Sequence, residues 1–185
     1  IGNEECYFDL KEVVNGICKK LIHRHPHIFS GAKLDMSKFE KTWEELKKEE
    51  KGESTITDGL RRIPKHLPAL MKASKVQHKA ALVGFDWDNV EDVFKKIEEE
   101  YQELLDEHRV GNIKYIKEEL GDLLFSIVNL ARFLDIDSGE ALNCTTEKFI
   151  NRFDFTEKSA MNLNKKLEDM TLEEMDEFWN QAKKQ

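Results

Sequence analysis

Long apolar runs are missing from this chain of 185 residues. A membrane-spanning helix needs roughly 20 consecutive apolar residues, and nothing here approaches that, so a spanning segment is excluded and no membrane partner is expected. No signal peptide is visible either. Cysteine is scarce: Cys6, Cys18 and Cys144 are odd in number, and no two stand at zinc-ligand spacing. Three reduced thiols in a cytoplasmic protein are the expected reading. Net positive charge is absent too. At -8 the chain has no basis for a nonspecific grip on nucleic acid, and an anionic ligand would need local basic groups or a metal ion. Missing as well are any P-loop or Gly-rich phosphate motif and any Glu-x-x-His, which argues against a ferritin-like di-iron bundle. His23, His25 and His27 alternate in a Pro-containing turn, without the fixed geometry zinc requires. The opening "IGNEECYFDL" has no Met, so the chain is expected to be a fragment that starts inside a longer protein.

What is present is helical periodicity. Charged residues make up 36% of the chain and hydrophobic ones 39%, a balance that suits a soluble, helix-rich protein. Leu10, Val13, Val14, Ile17 and Leu21 mark a first helix with Asp9 as N-cap. "SKFE" at 37–40 forms a capping box ahead of Phe39, Trp43 and Leu46. The period breaks near 51–66, where glycine, proline and small polar residues read as a linker. Pro68 opens a helix that Gly84 closes. Asp88 caps the next, and "HRVGN" at 108–112 turns the chain into a long helix from about Ile113 to Leu134. Ser138 is expected to cap another helix, through about Phe153, and "TLEE" at 171–174 is a second capping box. No convincing strand is seen. Short loops between long amphipathic helices imply antiparallel neighbours, hence an all-α helical bundle.

The stretch "EELGDLLF" at 118–125 poses a chemical question, because Glu119 and Asp122 interrupt an apolar stripe. Charged residues are seldom buried without a partner, and Asp is a poor residue for a helix interior. The same register occurs one helix earlier, in "IEEEYQELL" at 97–105 against "IKEELGDLL" at 116–124. Each residue turns a helix by about 100°. Glu100 and Glu103 therefore share one flank of an Ile97, Tyr101, Leu104 stripe, and Glu119 with Asp122 share the equivalent flank of Ile116, Leu120, Leu123. In an antiparallel hairpin the two carboxylate pairs face one another. Four carboxylates in one site repel unless a cation is present, and all-oxygen ligands suit Mg²⁺ or Mn²⁺. Gly121 leaves room for a ligand or a neighbouring helix. Glu98, Glu99 and Glu118 take solvent-facing positions and are expected to be spectators, though Glu99 or Glu118 could reach the site. The competing reading is a solvated acidic face, which Glu-rich helices commonly have.

Basic residues recur in a second pattern. Lys20 and Arg24 in "KKLIHRHPHIF" match Lys148 and Arg152 in "EKFINRFDF". Downstream, Trp43 and Lys47 match Trp179 and Lys183. Each pair is spaced i,i+4, and their common order points to a duplicated unit. Lys and Arg on one helix face can hold a phosphate chain, Arg with a bidentate fork, and Trp179 with Lys183 adds a stacking surface and a further cation. The plainer alternative is surface basic residues beside a core Trp. A carboxylate-bound metal together with Lys and Arg is the apparatus that polyphosphate chemistry requires.

With these motifs in hand, "GFDW", E-x-x-E at 100–103, E-x-x-D at 119–122, "GDLLFSIVNLARFL" and "KFINRF" resemble the MazG-type nucleoside triphosphate pyrophosphohydrolases. "RHPHIF" and "RIPKHLPALMKASKVQ" resemble the two-repeat members of that family. The resemblance implies an all-α NTP pyrophosphatase fold, a homodimer, and Mg²⁺-dependent hydrolysis of nucleoside triphosphates to nucleoside monophosphate and pyrophosphate. It implies that residues 1–50 are the end of a first repeat, 51–66 a linker and 67–185 the catalytic repeat. By position it implies Glu100, Glu103, Glu119 and Asp122 as catalytic metal ligands, and Lys148, Arg152, Trp179 and Lys183 at the substrate. Thr146 stands where the family often has Asn, and Asp154 where a further basic residue is common, which puts the full phosphate affinity in doubt. Residues 1–50 lack a preceding acid hairpin, so no second active site is expected there. The alternative is a catalytically silent helical module for nucleotide binding, dimerisation or regulation. Intact acids and intact Lys/Arg favour the enzyme.

Overall fold

The computed structural model describes residues 9–29 and 55–184. These fall into two compact groups, 9–29 and 55–64 with His78–Asp86, and Lys65–Gln77 with 87–184. The described residues form α1 (Leu10–Arg24), α2 (Pro26–Phe29), α3 (Ile56–Arg61), α4 (Ala69–Ala81), α5 (Val90–Val110), α6 (Ile113–Phe133), α7 (Ser138–Asn162) and α8 (Leu172–Ala182), with a 3₁₀ turn at Leu167–Asp169. Among the described residues there is no strand, and the fold class is all-α.

The helix starts follow local chemistry. Asp9 and Thr55 each head a capping box, with Glu12 and Asp58 returning the bond, and Thr171 does the same with Glu174. Two caps sit one residue from where the sequence places them. Asn89 rather than Asp88 caps α5, its side-chain oxygen accepting from the Asp92 N–H at 3.0 Å. Asp137 rather than Ser138 caps α7, accepting from the Glu140 N–H at 2.9 Å. In both places two or more cap-competent residues are adjacent, and only backbone direction chooses between them. The helix α7 also runs nine residues beyond its expected end at Phe153, to Asn162. Its hydroxyl residues do not stop it, because Thr156 and Ser159 donate back to the Arg152 and Phe155 carbonyls at 3.0 and 2.8 Å. The expected linker carries a structured turn, α3, and the "SKFE" capping box with Phe39, Trp43 and Lys47 lies outside the described residues.

Helix ends are equally explicit. Gly84, Asp135 and Asn164 take left-handed backbone conformations. The N–H of the following residue then reaches back to Ala80, Ala131 and Ala160 at 3.1, 2.8 and 3.0 Å, which satisfies otherwise open carbonyls. Gly111, at φ +78°, ends α5, and its N–H meets the Glu107 and His108 carbonyls. A side chain there would strain the turn, and that turn folds α6 back along α5.

The α5/α6 hairpin and the α7/α8 pair carry the main packing of the second group. On α5 the buried residues are Val93 and Glu100. Seven residues are two helical turns, so both stand on one face. Ile97 and Leu104 of the expected stripe are half-buried on this line, but Tyr101 is exposed, and Glu100 occupies the buried line instead of flanking it. On α6, Ile116, Glu119, Leu123, Ser126 and Leu130 follow the i,i+3,i+7 pattern of a packed face and are buried or half-buried. The other side of α6 presents Leu120, Leu124 and Ile127 to solvent. In α1 the apolar Val13, Ile17 and Leu21 are exposed.

Candidate metal centre

The hairpin brings Glu100 of α5 together with Glu119 and Asp122 of α6, each offering one oxygen so that the three atoms lie within 4.8 Å of one another. Burial grades across the trio. Glu100 is 5% exposed, Glu119 half-buried and Asp122 exposed, so the group opens to solvent at Asp122. Glu103, one turn beyond Glu100, is exposed and is not among the three closest oxygens. Glu98, Glu99 and Glu118 are exposed, as their register requires. No side chain crowds the position of Gly121 within 4 Å.

Electrostatics follow from this crowding. Desolvation raises the Glu119 carboxyl above its ordinary value of 4.5, and the charges of Glu103, Glu100, Asp122 and Glu107 push it the same way. Although Glu103 lies outside the closest set, its field therefore still acts on it. Among the described residues, Lys96 answers the acids. The Lys96 ammonium stands 2.7 Å from Glu100 Oε1 and 2.8 Å from Glu99 Oε1, and these carboxylates, Glu100 first, push the lysine's pKa up. The sequence held this signal as Lys four residues before Glu, a spacing that joins helix neighbours, but "KKIEEE" offers many such pairs. A second unforeseen residue is Gln77 on α4. It is buried, and its Nε2 donates to the Phe125 carbonyl of α6 at 2.8 Å, one turn past Asp122.

The donor set fits a hard divalent cation. Among the described residues it consists of carboxylate oxygens from two helices, without thiolate or imidazole, and it is open to solvent at Asp122. Binding must displace whatever proton Glu119 carries. Because that carboxyl titrates above the ordinary range, the affinity for Mn²⁺ is expected to fall, as pH is lowered, at a higher pH than an ordinary glutamate would give. Mn²⁺ titrations across pH test this: a flat affinity through the carboxylate range contradicts it.

The basic residues lie on the other helix pair. Arg152 on α7 is half-buried, with its guanidinium carbon 5.9 Å from the centre of the Trp179 ring on α8. Phe149 packs against the same ring at 4.9 Å, and stacks on Phe153 at 6.2 Å. Arg152 and Trp179 are thus brought together as the sequence proposes. Lys148 is exposed, and Lys183 donates to Asn180 Oδ1 at 3.1 Å. Thr146 turns its hydroxyl onto the Leu142 carbonyl at 3.0 Å, and Asp154 is occupied by Lys158 at 2.7 Å, so its charge is partly answered within α7. In the earlier copy Lys20 is exposed and Arg24 buried, and Trp43 and Lys47 lie outside the described residues.

The described residues form an all-α fold whose carboxylate trio, between two antiparallel helices, could hold a metal ion, and comparison with known proteins identifies the family. The family described as the MazG nucleotide pyrophosphohydrolase domain matches residues 1–29 and 89–154. A Thermotoga maritima protein named nucleoside triphosphate pyrophosphohydrolase/pyrophosphatase MazG is 40% identical over 184 residues, covering 99% of this chain and 69% of that protein. The Escherichia coli K12 nucleoside triphosphate pyrophosphohydrolase is 38% identical over 188 residues, covering all of this chain and 72% of that protein. An uncharacterised Bacillus subtilis protein, YabN, is 44% identical over 193 residues, although the match spans only 38% of it. The chain belongs to the MazG nucleotide pyrophosphohydrolase family.

Proposed function

We infer that this chain is an enzyme that hydrolyses nucleoside triphosphates to nucleoside monophosphate and pyrophosphate. The observation that carries the reading is the trio Glu100, Glu119 and Asp122, set between the two helices of a MazG-family hairpin. Its named relatives at 38–40% identity are nucleoside triphosphate pyrophosphohydrolases. Mg²⁺ is the cation we assign to the trio, with Mn²⁺ as substitute, because the ligand atoms the trio offers are hard carboxylate oxygens. Glu103 completes the four-carboxylate set from the exposed side. Bound there, the cation supplies charge neutralisation and Lewis acidity toward water and the phosphates.

The chain's own groups do the rest. Lys148 and Arg152 hold the phosphate chain and stabilise the charge that grows on the departing pyrophosphate. Trp179, held by Arg152 and Phe149, forms one wall of that site, with Lys183 beside it. A carboxylate outside that four-membered set, Glu99 or Glu118, accepts the proton of the attacking water. Residues 67–185 are the catalytic unit, residues 1–50 the remainder of a first repeat, and 51–66 the connection. A test of the reaction is product identity over a panel of nucleoside triphosphates. The expected products are monophosphate and pyrophosphate, lost on chelation. Diphosphate and orthophosphate, or no turnover at all with Mg²⁺ present, would overturn the reading.

We also propose that the working unit is a homodimer in the cytoplasm. Support comes from apolar surface that one copy leaves open: Leu120, Leu124 and Ile127 on α6, and Leu142, Ile150 and Phe153 on α7. With α6 already packed on α5 by its other face, this second apolar face calls for a covering surface. No helix among the described residues is long and apolar enough to cross a membrane. Sedimentation at micromolar concentration is expected to give twice the chain mass, and Leu124→Glu is expected to shift it toward monomer. A monomer throughout would contradict the proposal.

A further inference from the structure

Lys96 touches the acid trio from within α5 and has no part in the mechanism above. Its ammonium lies between two carboxylates of very different setting. Glu100, at 2.7 Å, has a side chain only 7% exposed and belongs to the trio, whereas Glu99, at 2.8 Å, has a side chain 56% exposed. A buried carboxylate beside two others is costly unless a cation answers it, and here the chain supplies that cation from one turn earlier in the same helix. The lysine stem is about one-third exposed, so its head can move without disturbing the core.

We propose that Lys96 is the resident counter-ion of the metal-free acid trio. It competes with the divalent cation for Glu100 and withdraws to Glu99 when that cation binds. The proposal rests on the assignment of Glu100, Glu119 and Asp122 as the metal site. A dication at the trio and an ammonium on the same carboxylate repel at close range, while Glu99 already offers the ammonium a second acceptor. The neighbouring Lys95 provides the contrast: it is exposed and paired with Asp92 at 2.8 Å. It carries the same charge one residue away without touching the trio. Lys96 is thus a positioning residue, holding the Glu100 carboxylate in place by direct contact before metal arrives and setting the metal concentration at which the site fills.

The test is calorimetric titration of the full chain with Mn²⁺ alone, at pH above the carboxylate range. Lys96→Met is expected to bind Mn²⁺ about tenfold more tightly than the parent, and Lys95→Met to stay within about twofold of it, since close charge pairs dominate over distant screened ones. In chelator, Lys96→Met is expected to melt at a lower temperature than the parent, and saturating Mn²⁺ to raise its melting point by more than it raises the parent's. Should Lys96→Met not fold without metal, Glu99→Gln carries the test. Losing the second acceptor keeps the ammonium on Glu100, so this variant is expected to weaken Mn²⁺ binding more than Glu98→Gln does. Binding by Lys96→Met that is unchanged, weaker, or matched by Lys95→Met overturns the proposal while leaving the metal site intact. So does equal weakening by Glu99→Gln and Glu98→Gln. Absence of Mn²⁺ binding in the parent overturns the metal site and the proposal together.

Discussion

Glu119→Gln and Asp122→Asn are each expected to abolish metal-dependent hydrolysis while the helices persist. Both residues stand on α6 with oxygens close to Glu100. Losing one of three clustered donors should empty or misplace the cation, whose electrostatic contribution to such chemistry is several kcal/mol. A loss of about 4 kcal/mol corresponds to about 10³-fold in rate. Stability should move the other way for Glu119→Gln. In the metal-free protein the carboxyl of Glu119 is raised by desolvation and by its acidic neighbours. A group so raised holds its proton more firmly when folded than when unfolded, so its ionised form weakens the fold as pH rises through the folded-state value. Near neutral pH the amide removes that repulsion, and the variant in chelator should melt no lower than the parent. Near-normal turnover by both variants at modest Mg²⁺ would contradict the metal assignment. Turnover lost together with helicity would instead point to a structural role.

Lys148→Ala and Arg152→Ala are expected to raise KM and lower kcat together. Each removes a charge-assisted contact to a phosphate that persists from bound substrate to transition state. Such a contact contributes roughly 1.5–3 kcal/mol, or about 10- to 150-fold in kcat/KM. Arg152 should show the larger loss. Its guanidinium also faces the Trp179 ring at 5.9 Å, and the same ring packs on Phe149, so truncation loosens the wall as well as removing the charge. Lys148 is exposed on the same helix and should act mainly through charge. Arg152→Lys should then recover part of the phosphate contact and less of the ring contact. Parental KM and kcat in both alanine variants would remove the phosphate role.

Much of this arrangement is legible in the sequence because it is local. The capping boxes at Asp9 and Thr171, the glycine at 111 and the matched acid register each depend on residues within a turn or two of one another. The chain could therefore be read as helices with an acid-bearing hairpin. Less local features escaped. Whether Asp88 or Asn89 caps α5 depends on the direction of the incoming backbone. The continuation of α7 past Phe153 depends on hydroxyls turning inward onto their own helix. The burial of Glu100 in line with Val93 depends on how α6 docks. A carboxylate at such a position reads as a flank residue until its lysine partner is seen. Gln77 could not be tied to the site at all, since its bond to Phe125 joins helices 48 residues apart. The Gln77 bond is tertiary, whereas the α5 cap, the α7 hydroxyl bonds and the Lys96–Glu100 pair are local contacts among several that the residue pattern equally allows.

Central to the proposed function is the cation's place on Glu100, Glu119 and Asp122. Anomalous diffraction at the manganese edge, from crystals grown with Mn²⁺ and a non-hydrolysable nucleoside triphosphate, addresses it directly. The expected result is a manganese peak within coordinating distance of all three carboxylates, roughly 2.0–2.6 Å, with the phosphate chain running from it toward Arg152. A peak elsewhere, or an empty trio at saturating Mn²⁺, would contradict it.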